Sequence, residues 1–167
     1  MAVSCEGCRS GEPLGFDFTM AFQPIVDAAG NSVWGYEALI RGTGGEGAGE
    51  ILSRVTPEQR YRFDQACRVK AIELAARIFP KENTPRLSIN FLPNAVYSPL
   101  ACIQLTLKTA RATGLPTDRL IFEFTENEQM ADPAREAAEG LRPPFAAVGV
   151  VRVHGNRQIR PRHVLRV

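Results

Sequence analysis

Apolar residues along the chain fall into short runs of strand type and longer runs with helical spacing. Strand-like runs lie at 16–26, 33–40, 86–91 and 120–125. Turn residues from Asp27 to Asn31 separate the first two runs, which predicts a β-hairpin. The later runs alternate with predicted helices, which is the order of a parallel sheet covered by its crossovers. The pattern therefore predicts an α/β fold.

Two helices are predicted between these strands. The first begins with Thr56 as N-cap, Pro57 in the first turn and Gln59 completing a capping box. The second runs from 99 to 113 and ends before Gly114. The helical spacing of apolar residues predicts that the first helix packs on the sheet through Phe63, Cys67, Ala71, Leu74, Ala75 and Ile78.

The pattern weakens beyond Asp132. Residues 134–140 predict two helical turns, which Pro143 and Pro144 would end, and residues 145–153 predict one more strand. The stretch 155–167 shows neither period and is interpreted as loop or disorder. The chain is thus divided into a flexible N-terminal segment (1–15), a patterned body (16–132) and a divergent tail rich in arginine and proline (133–167).

Composition and charge narrow the class of protein. The 167 residues are 44% hydrophobic and 23% charged, as in a globular domain with one core. No stretch approaches the roughly 18 apolar residues of a membrane span, and the N-terminus lacks the apolar core of a secretion signal. We therefore expect a cytoplasmic protein that does not associate with membranes.

Charge is distributed unevenly along the chain. The net charge is +2, but residues 140–167 contain six arginines and no acid, and subtracting them leaves residues 1–139 at −4. Such a body lacks the basic field of a general DNA- or RNA-binding protein. Any nucleotide recognition must come from a specific site, whereas the tail is suited to an acidic partner.

The cysteines suggest no established metal or disulfide site. Cys5 and Cys8 form a single C-x2-C pair, which is half of a zinc site, and the histidines, His154 and His163, lie far away in the sequence. Without an export signal, a disulfide framework is not expected. We interpret the N-terminal cysteines as part of a reduced, flexible segment.

Three polar residues lie near the ends of predicted strands that are otherwise apolar. They are Glu37, Asn90 and Glu123. In parallel α/β folds the functional residues lie at the carboxyl ends of the strands. Two carboxylates and an amide oxygen are suitable ligands for Mg²⁺ or Mn²⁺. The alternative is that each residue is a solvated strand end. Three occurrences in one register favour a shared site.

Further residues near these strand ends suggest recognition of a nucleotide. The guanidinium of Arg41 would bind a phosphate, and the side-chain amide of Gln23 would hydrogen-bond the edge of a nucleobase. A surface arginine is the alternative for Arg41. Residues 42–47 also satisfy G-x-G-x-x-G, with Asp64 about twenty residues later, as in dinucleotide-binding sites. The alternative for this stretch is a flexible loop.

Three segments together resemble a known family. They are FQPIVDAAGNSVWGYEALIRG (22–42), LSINFLPNAV (87–96) and LIFEFTENE (120–128), and FDQACR (63–68) fits between them. The order and the amino-acid sequences of these segments resemble EAL domains, most closely those that occur alone or joined to blue-light sensors. The resemblance implies a TIM-like barrel with a reversed first strand, which hydrolyses cyclic di-GMP to pGpG with two divalent cations.

The resemblance also implies roles for individual residues. Glu37, Asn90 and Glu123 would be ligands of the first metal, Mg²⁺ or Mn²⁺, and Glu37 would thereby be catalytic. Glu126 would also be catalytic, by holding an active-site loop in place. Gln23 and Arg41 would hold the substrate.

The tail departs from the family pattern. EAL domains continue to a strand ending in Asp-Asp-Phe-Gly, then to a catalytic lysine and further glutamates, whereas no acid follows Glu139 here. We therefore expect an incomplete barrel of EAL type whose activity is absent or strongly impaired. A non-catalytic module that binds cyclic di-GMP or a protein is the alternative, and a homodimer is also open. The tail is either a frameshift product or a genuine variant.

Overall fold

The computed structural model describes residues 13–27, 29–91, 99–125 and 149–153. Their elements form a mixed α/β fold. The strands are β1 (Thr19–Asp27), β2 (Ser32–Arg41), β3 (Arg86–Phe91), β4 (Leu120–Thr125) and β5 (Gly149–Val153), and the helices are α1 (Ala48–Ser53), α2 (Arg60–Ile78) and α3 (Pro99–Thr113). Short 3-10 turns, Pro57–Gln59 and Thr117–Arg119, precede α2 and β4.

The five strands form one sheet in the order β1-β2-β3-β4-β5. β1 pairs with β2 in an antiparallel hairpin, and each later pair is parallel. The first strand is therefore reversed relative to the other four, as the resemblance implied, and the predicted α/β class is confirmed. Parallel neighbours place the carboxyl ends of β2 to β5 at the same edge of the sheet.

The two faces of the sheet have different surroundings. One face packs on α2 and α3 in the main core, which includes Leu87, Ile89, Phe91, Leu120, Phe122, Ala71, Ile72, Ala75, Ile103 and Leu107. Because successive side chains of a strand point to opposite faces, Ser88, Asn90 and Glu123 lie on the other face. The apolar layer behind the sheet thus fixes where the polar side chains emerge.

Local sequence signals place most elements correctly. β3, α3 and β4 have the predicted bounds, and the capping box between Thr56 and Gln59 is present. α3 ends before Gly114, whose φ of +75° is readily adopted by glycine. β5 occupies the second part of the strand predicted at 145–153 and pairs with β4.

Two local predictions were wrong near the N-terminus. β1 begins at Thr19 rather than at Phe16, because Phe16 and Phe18 turn their rings toward Phe63 of α2, with centroids 6.0 and 5.4 Å apart. Residues 48–53, for which the sequence pattern predicted no helix, form α1. Ile51 anchors this helix, because it is fully buried in a small apolar cluster with Phe18 and Phe63.

The buried face of α2 also differs from the prediction. Ile78 is 63% exposed, and Leu74 and Cys67 are only partly buried, whereas Asp64, Gln65 and Arg68 lie inside. Sequence spacing assigned the interior to apolar residues. The polar residues are accommodated because Arg68 pairs with Asp64 and also bonds Thr106 of α3.

Several predictions fall outside the described residues. These are residues 1–12 of the predicted flexible segment, with Cys5 and Cys8, the helical turns at 134–140 and the loop at 155–167. The proposed division at 1–15, 16–132 and 133–167 stays a prediction. None of the helices that the structure describes is both long enough and apolar enough to cross a membrane.

The close pairing of β2 and β3 gives a test of the fold. A Cβ on Gly35 would lie 2.8 Å from the carbonyl oxygen of Arg86 and 3.0 Å from its Cβ. Gly35→Ala should therefore lower the free energy of unfolding by about 1–3 kcal/mol. Gly49→Ala is the matched control, because Gly49 lies within α1 with open space around it. This substitution should stabilise by about 0.5–1 kcal/mol. Equal midpoints in urea unfolding would contradict the described register.

Candidate functional site

The register of the three central strands brings the predicted metal ligands together. Glu37 lies opposite Ser88 in the β2–β3 pair, and Asn90 lies opposite Glu123 in the β3–β4 pair. The side-chain nitrogen of Asn90 donates a hydrogen bond of 3.0 Å to Oε1 of Glu37. Residues 53 and 33 positions apart in sequence thus meet at one edge of the sheet.

Glu123 is the buried member of this group. Its side chain is 3% exposed, and it accepts a hydrogen bond from the hydroxyl of Ser88, which is 1% exposed. Burial raises the pKa of Glu123, the Ser88 hydrogen bond opposes that rise, and the neighbouring Glu37 carboxylate adds to it. A negative charge on Glu123 is therefore unfavourable without a cation nearby.

Ser88 is a functional candidate that sequence reasoning did not single out. Its place on the face of Asn90 follows from alternation, but its contact is with a residue on another strand. The sequence does contain a signal for it. Ser88 lies two positions before Asn90 on the same strand, so both polar side chains must be on one face. Ser88 fixes one carboxylate oxygen of Glu123, so it restricts how that carboxylate is oriented.

The predicted substrate-binding residues Gln23 and Arg41 share a face of the sheet with Glu37. Gln23 lies directly opposite Glu37 in the antiparallel pair and is exposed, so it shares the face of the site. Arg41 is on the same face of β2 as Glu37, four residues further on. Its guanidinium donates a hydrogen bond of 2.6 Å to the carbonyl of Ile40. Glu126 lies outside the described residues.

The donor set fits a hard divalent cation but does not enclose one. Glu37, Asn90 and Glu123 supply two carboxylates and an amide, which are ligands suited to Mg²⁺ or Mn²⁺. Asn90 uses its nitrogen toward Glu37, which leaves the amide oxygen out of that hydrogen bond. Over the described ranges, no group of three or more His, Cys, Asp or Glu side chains is placed to hold a metal ion.

In the glycine-rich loop, Glu46 accepts hydrogen bonds from backbone amides of the loop itself, so the loop does not resemble a phosphate-binding loop. The amide of Gly42 donates to the carbonyl of Glu46 at 2.8 Å, and that of Gly44 donates to the Glu46 carboxylate at 2.8 Å. Asp64, the acid about twenty residues after this motif, is buried in its ion pair with Arg68. The loop that satisfies G-x-G-x-x-G is therefore a self-contained turn, and the dinucleotide interpretation is not supported.

Comparison with known proteins decides the family. A sequence profile of the EAL domain matches residues 14–150, which is most of the chain. The chain belongs to the EAL domain family. The prediction made from the three motifs is therefore confirmed, together with the TIM-like α/β architecture of which this chain contains a part.

Solved structures agree with this assignment. The chain is 45% identical to a standalone EAL protein of Vibrio cholerae O395 in its c-di-GMP-bound form, with a TM-score of 0.72, over 84% of this chain and 58% of that one. It is 30% identical to Klebsiella pneumoniae BlrP1 in a calcium and cyclic di-GMP complex, with a TM-score of 0.71, over 83% and 35% of the two chains.

A curated relative points the same way. The chain is 24% identical over 132 residues to the blue light- and temperature-regulated antirepressor BluF of Escherichia coli K12, which is 78% of this chain and 32% of BluF. The chain thus spans less than two thirds of the length of each of these three relatives.

The buried carboxylate predicts a distinctive pH dependence of stability. The pKa of Glu123 is raised in the folded protein, so the folded state holds its proton more tightly than the unfolded state. The corresponding stability is present below the ordinary value of 4.5 and is lost as the pH rises through the folded pKa. Without added metal, Glu123→Gln should remove this loss in urea unfolding between pH 4.5 and 8.

Ser88→Ala provides the opposing variant for this experiment. The Ser88 hydrogen bond lowers the pKa of Glu123, so its removal should raise that pKa further and enlarge the loss of stability at high pH. If the free energy of unfolding changed equally in the wild-type protein and in Glu123→Gln between pH 4.5 and 8, Glu123 would not be in the buried setting described.

Proposed function

We propose that this chain binds cyclic di-GMP and a divalent cation at the carboxyl edge of β2, β3 and β4, with hydrolysis to pGpG absent or strongly impaired. The observation that carries the proposal is the convergence of Glu37, Asn90 and Glu123 at that edge. Relatives with 45% and 30% identity were solved with cyclic di-GMP, which supports the choice of ligand.

The cation would be held by the three strand-end residues. Glu37 and Glu123 supply charge, Asn90 supplies a neutral oxygen, and Ser88 orients Glu123. Mg²⁺ or Mn²⁺ suits these donors, and BlrP1 was solved in manganese complexes. A divalent cation in such a site offsets charge on a phosphoryl group and acidifies water. Glu126, which the resemblance assigns to an active-site loop, stays a prediction.

The nucleotide would be held by residues flanking the cation. Gln23 is exposed beside Glu37, where its amide would meet a base edge. Arg41 would exchange its bond to the Ile40 carbonyl for a phosphate oxygen, which is a stronger, charge-assisted partner. The body of the chain has no net positive charge, so these specific contacts carry the recognition of an anionic ligand.

The sequence after Glu139 argues for impaired turnover. Bridging carboxylates would be needed to hold a second cation, and the chain supplies no Asp or Glu after that position. Glu37, Asn90 and Glu123 are sufficient for one loosely held cation only. This absence also favours the second candidate function, a regulatory module that binds cyclic di-GMP or a protein without hydrolysis.

The remaining expectations about the chain's setting stay predictions. They are a cytoplasmic location, a homodimer or protein partner, and no association with DNA, RNA or membranes. The arginines of 140–167 offer positive charge to an acidic partner, but the uneven charge alone does not identify one.

Binding can be tested by titration calorimetry with Mn²⁺ and then with cyclic di-GMP. Glu37→Gln and Asn90→Ala should each weaken Mn²⁺ binding at least about tenfold, equivalent to a loss of about 1.4 kcal/mol per ligand. Glu82→Gln is the matched control, because it removes the same charge from an exposed turn between α2 and β3. Absence of both binding events in the wild-type protein, or equal loss in the control, would refute the proposed site.

Turnover can be tested by measuring pGpG production with Mn²⁺. We expect a rate at least about a thousandfold below that of an EAL phosphodiesterase that has the Asp-Asp motif. Without a second cation the transition state would lose stabilisation on the order of several kcal/mol. A loss of about 4 kcal/mol already corresponds to a thousandfold lower rate, because each 1.36 kcal/mol is a factor of ten. Efficient pGpG production that Glu37→Ala abolishes would show instead that the missing ligands come from elsewhere, such as a second subunit.

A further inference from the structure

A buried arginine lies behind the candidate site, on the helix face of the sheet. Arg68 of α2 is 1% exposed. Its Nη1 pairs with the carboxylate of Asp64, one turn earlier on the same helix, and its Nε donates a 3.1 Å hydrogen bond to the hydroxyl of Thr106 on α3. Arg68 therefore links the two helices that cover this face.

The guanidinium of Arg68 also packs on the end of β3. Its central carbon lies 4.4 Å from the ring centroid of Phe91. Phe91 in turn meets Phe122 edge to face, with centroids 5.8 Å apart and planes at 61°. Phe91 directly follows Asn90, and Phe122 directly precedes Glu123. The stack from Arg68 to Phe122 thus supports the backbone from which both candidate ligands project.

Stability alone is a poor reason for a charged pair in this position. Burying two ions removes their hydration, and well-packed apolar residues of similar volume are often as stable or more stable. Arg68 instead provides directional contacts to Asp64, Thr106 and the Phe91 ring. A planar guanidinium over an aromatic ring makes a directional cation–π contact that an aliphatic side chain cannot make.

We propose that Arg68 is a positioning residue for the candidate cation site. It holds Phe91, and through Phe91 it holds Phe122, so that the carboxyl ends of β3 and β4 keep Asn90 and Glu123 paired across the two strands. This inference rests on the proposed function for its consequence. Its structural part, the placement of the Asn90 amide, is measurable without any metal or nucleotide.

The first test uses the metal-free protein. NMR signals of the Asn90 side-chain amide, assigned by their loss in Asn90→Ala, report its hydrogen bond to Glu37. The double variant Asp64→Asn/Arg68→Met removes the buried charges together and should shift or broaden these signals. Arg68→Lys keeps the positive charge but loses the planar contact with Phe91, and it should have the same effect. Arg68→Lys also provides the test on its own if the double variant fails to fold.

The control is a core substitution distant from the site. Leu115 is 4% exposed in the same main core, just before the opposite end of β4. Leu115→Ala should lower the thermal midpoint while leaving the Asn90 amide signals unchanged. Calorimetry should show at least tenfold weaker Mn²⁺ binding in the Arg68 variants and less than twofold weaker binding in Leu115→Ala.

The outcomes separate this inference from the proposed function. If the wild-type protein binds no Mn²⁺, the proposed function fails, while the amide signals still decide whether Arg68 positions Asn90. Unchanged signals in the Arg68 variants, or an equal shift in Leu115→Ala, would overturn the positioning role. An amide shift with unaltered Mn²⁺ affinity, in a wild-type protein that binds the ion, would also overturn it.

Discussion

The parallel register of β2, β3 and β4 brings the candidate ligands to one edge of the sheet and one face. Glu37 opposes Ser88, and Asn90 opposes Glu123, so two interstrand pairings determine which side chains meet. A slip of one residue would turn one strand's polar residues toward the helices. The apolar alternation that buries Leu87, Ile89 and Phe122 against α2 and α3 prevents this slip. Packing on one face therefore maintains the chemistry on the other.

Buried polar groups occur on both faces of this sheet edge. On the site face, Glu123 carries a raised pKa and the hydroxyl of Ser88 as its partner. On the helix face, Arg68 is paired with Asp64 and rests on Phe91. Each group is unfavourable to bury alone and is tolerated through specific partners. Both groups therefore depend on contacts that join separate elements of the fold, Glu123 through Ser88 of β3 and Arg68 through Thr106 of α3.

Family membership and the donor set support different parts of the functional argument. The EAL profile and the cyclic di-GMP-bound structures suggest the ligand class. The donor set supports the proposed cation site, to which Glu37 and Glu123 would offer carboxylates and Asn90 an amide oxygen. Metal affinity and pGpG production are therefore separate measurements, because the first tests the donor set and the second tests turnover.

The sequence by itself determined the α/β class, the bounds of β3, α3 and β4, and the face on which Glu37, Asn90 and Glu123 lie. These features follow from local periodicity, which repeats every two residues in strands and about every 3.6 in helices. Only the tertiary structure decided that α1 forms around Ile51, that Ser88 bonds Glu123, and that Arg68 lies inside with Asp64. The Ser88 and Arg68 contacts reach 35 and 38 residues along the chain, to Glu123 and Thr106 respectively. Whether a polar residue is buried depends on partners distant in sequence, and local periodicity contains no information about them.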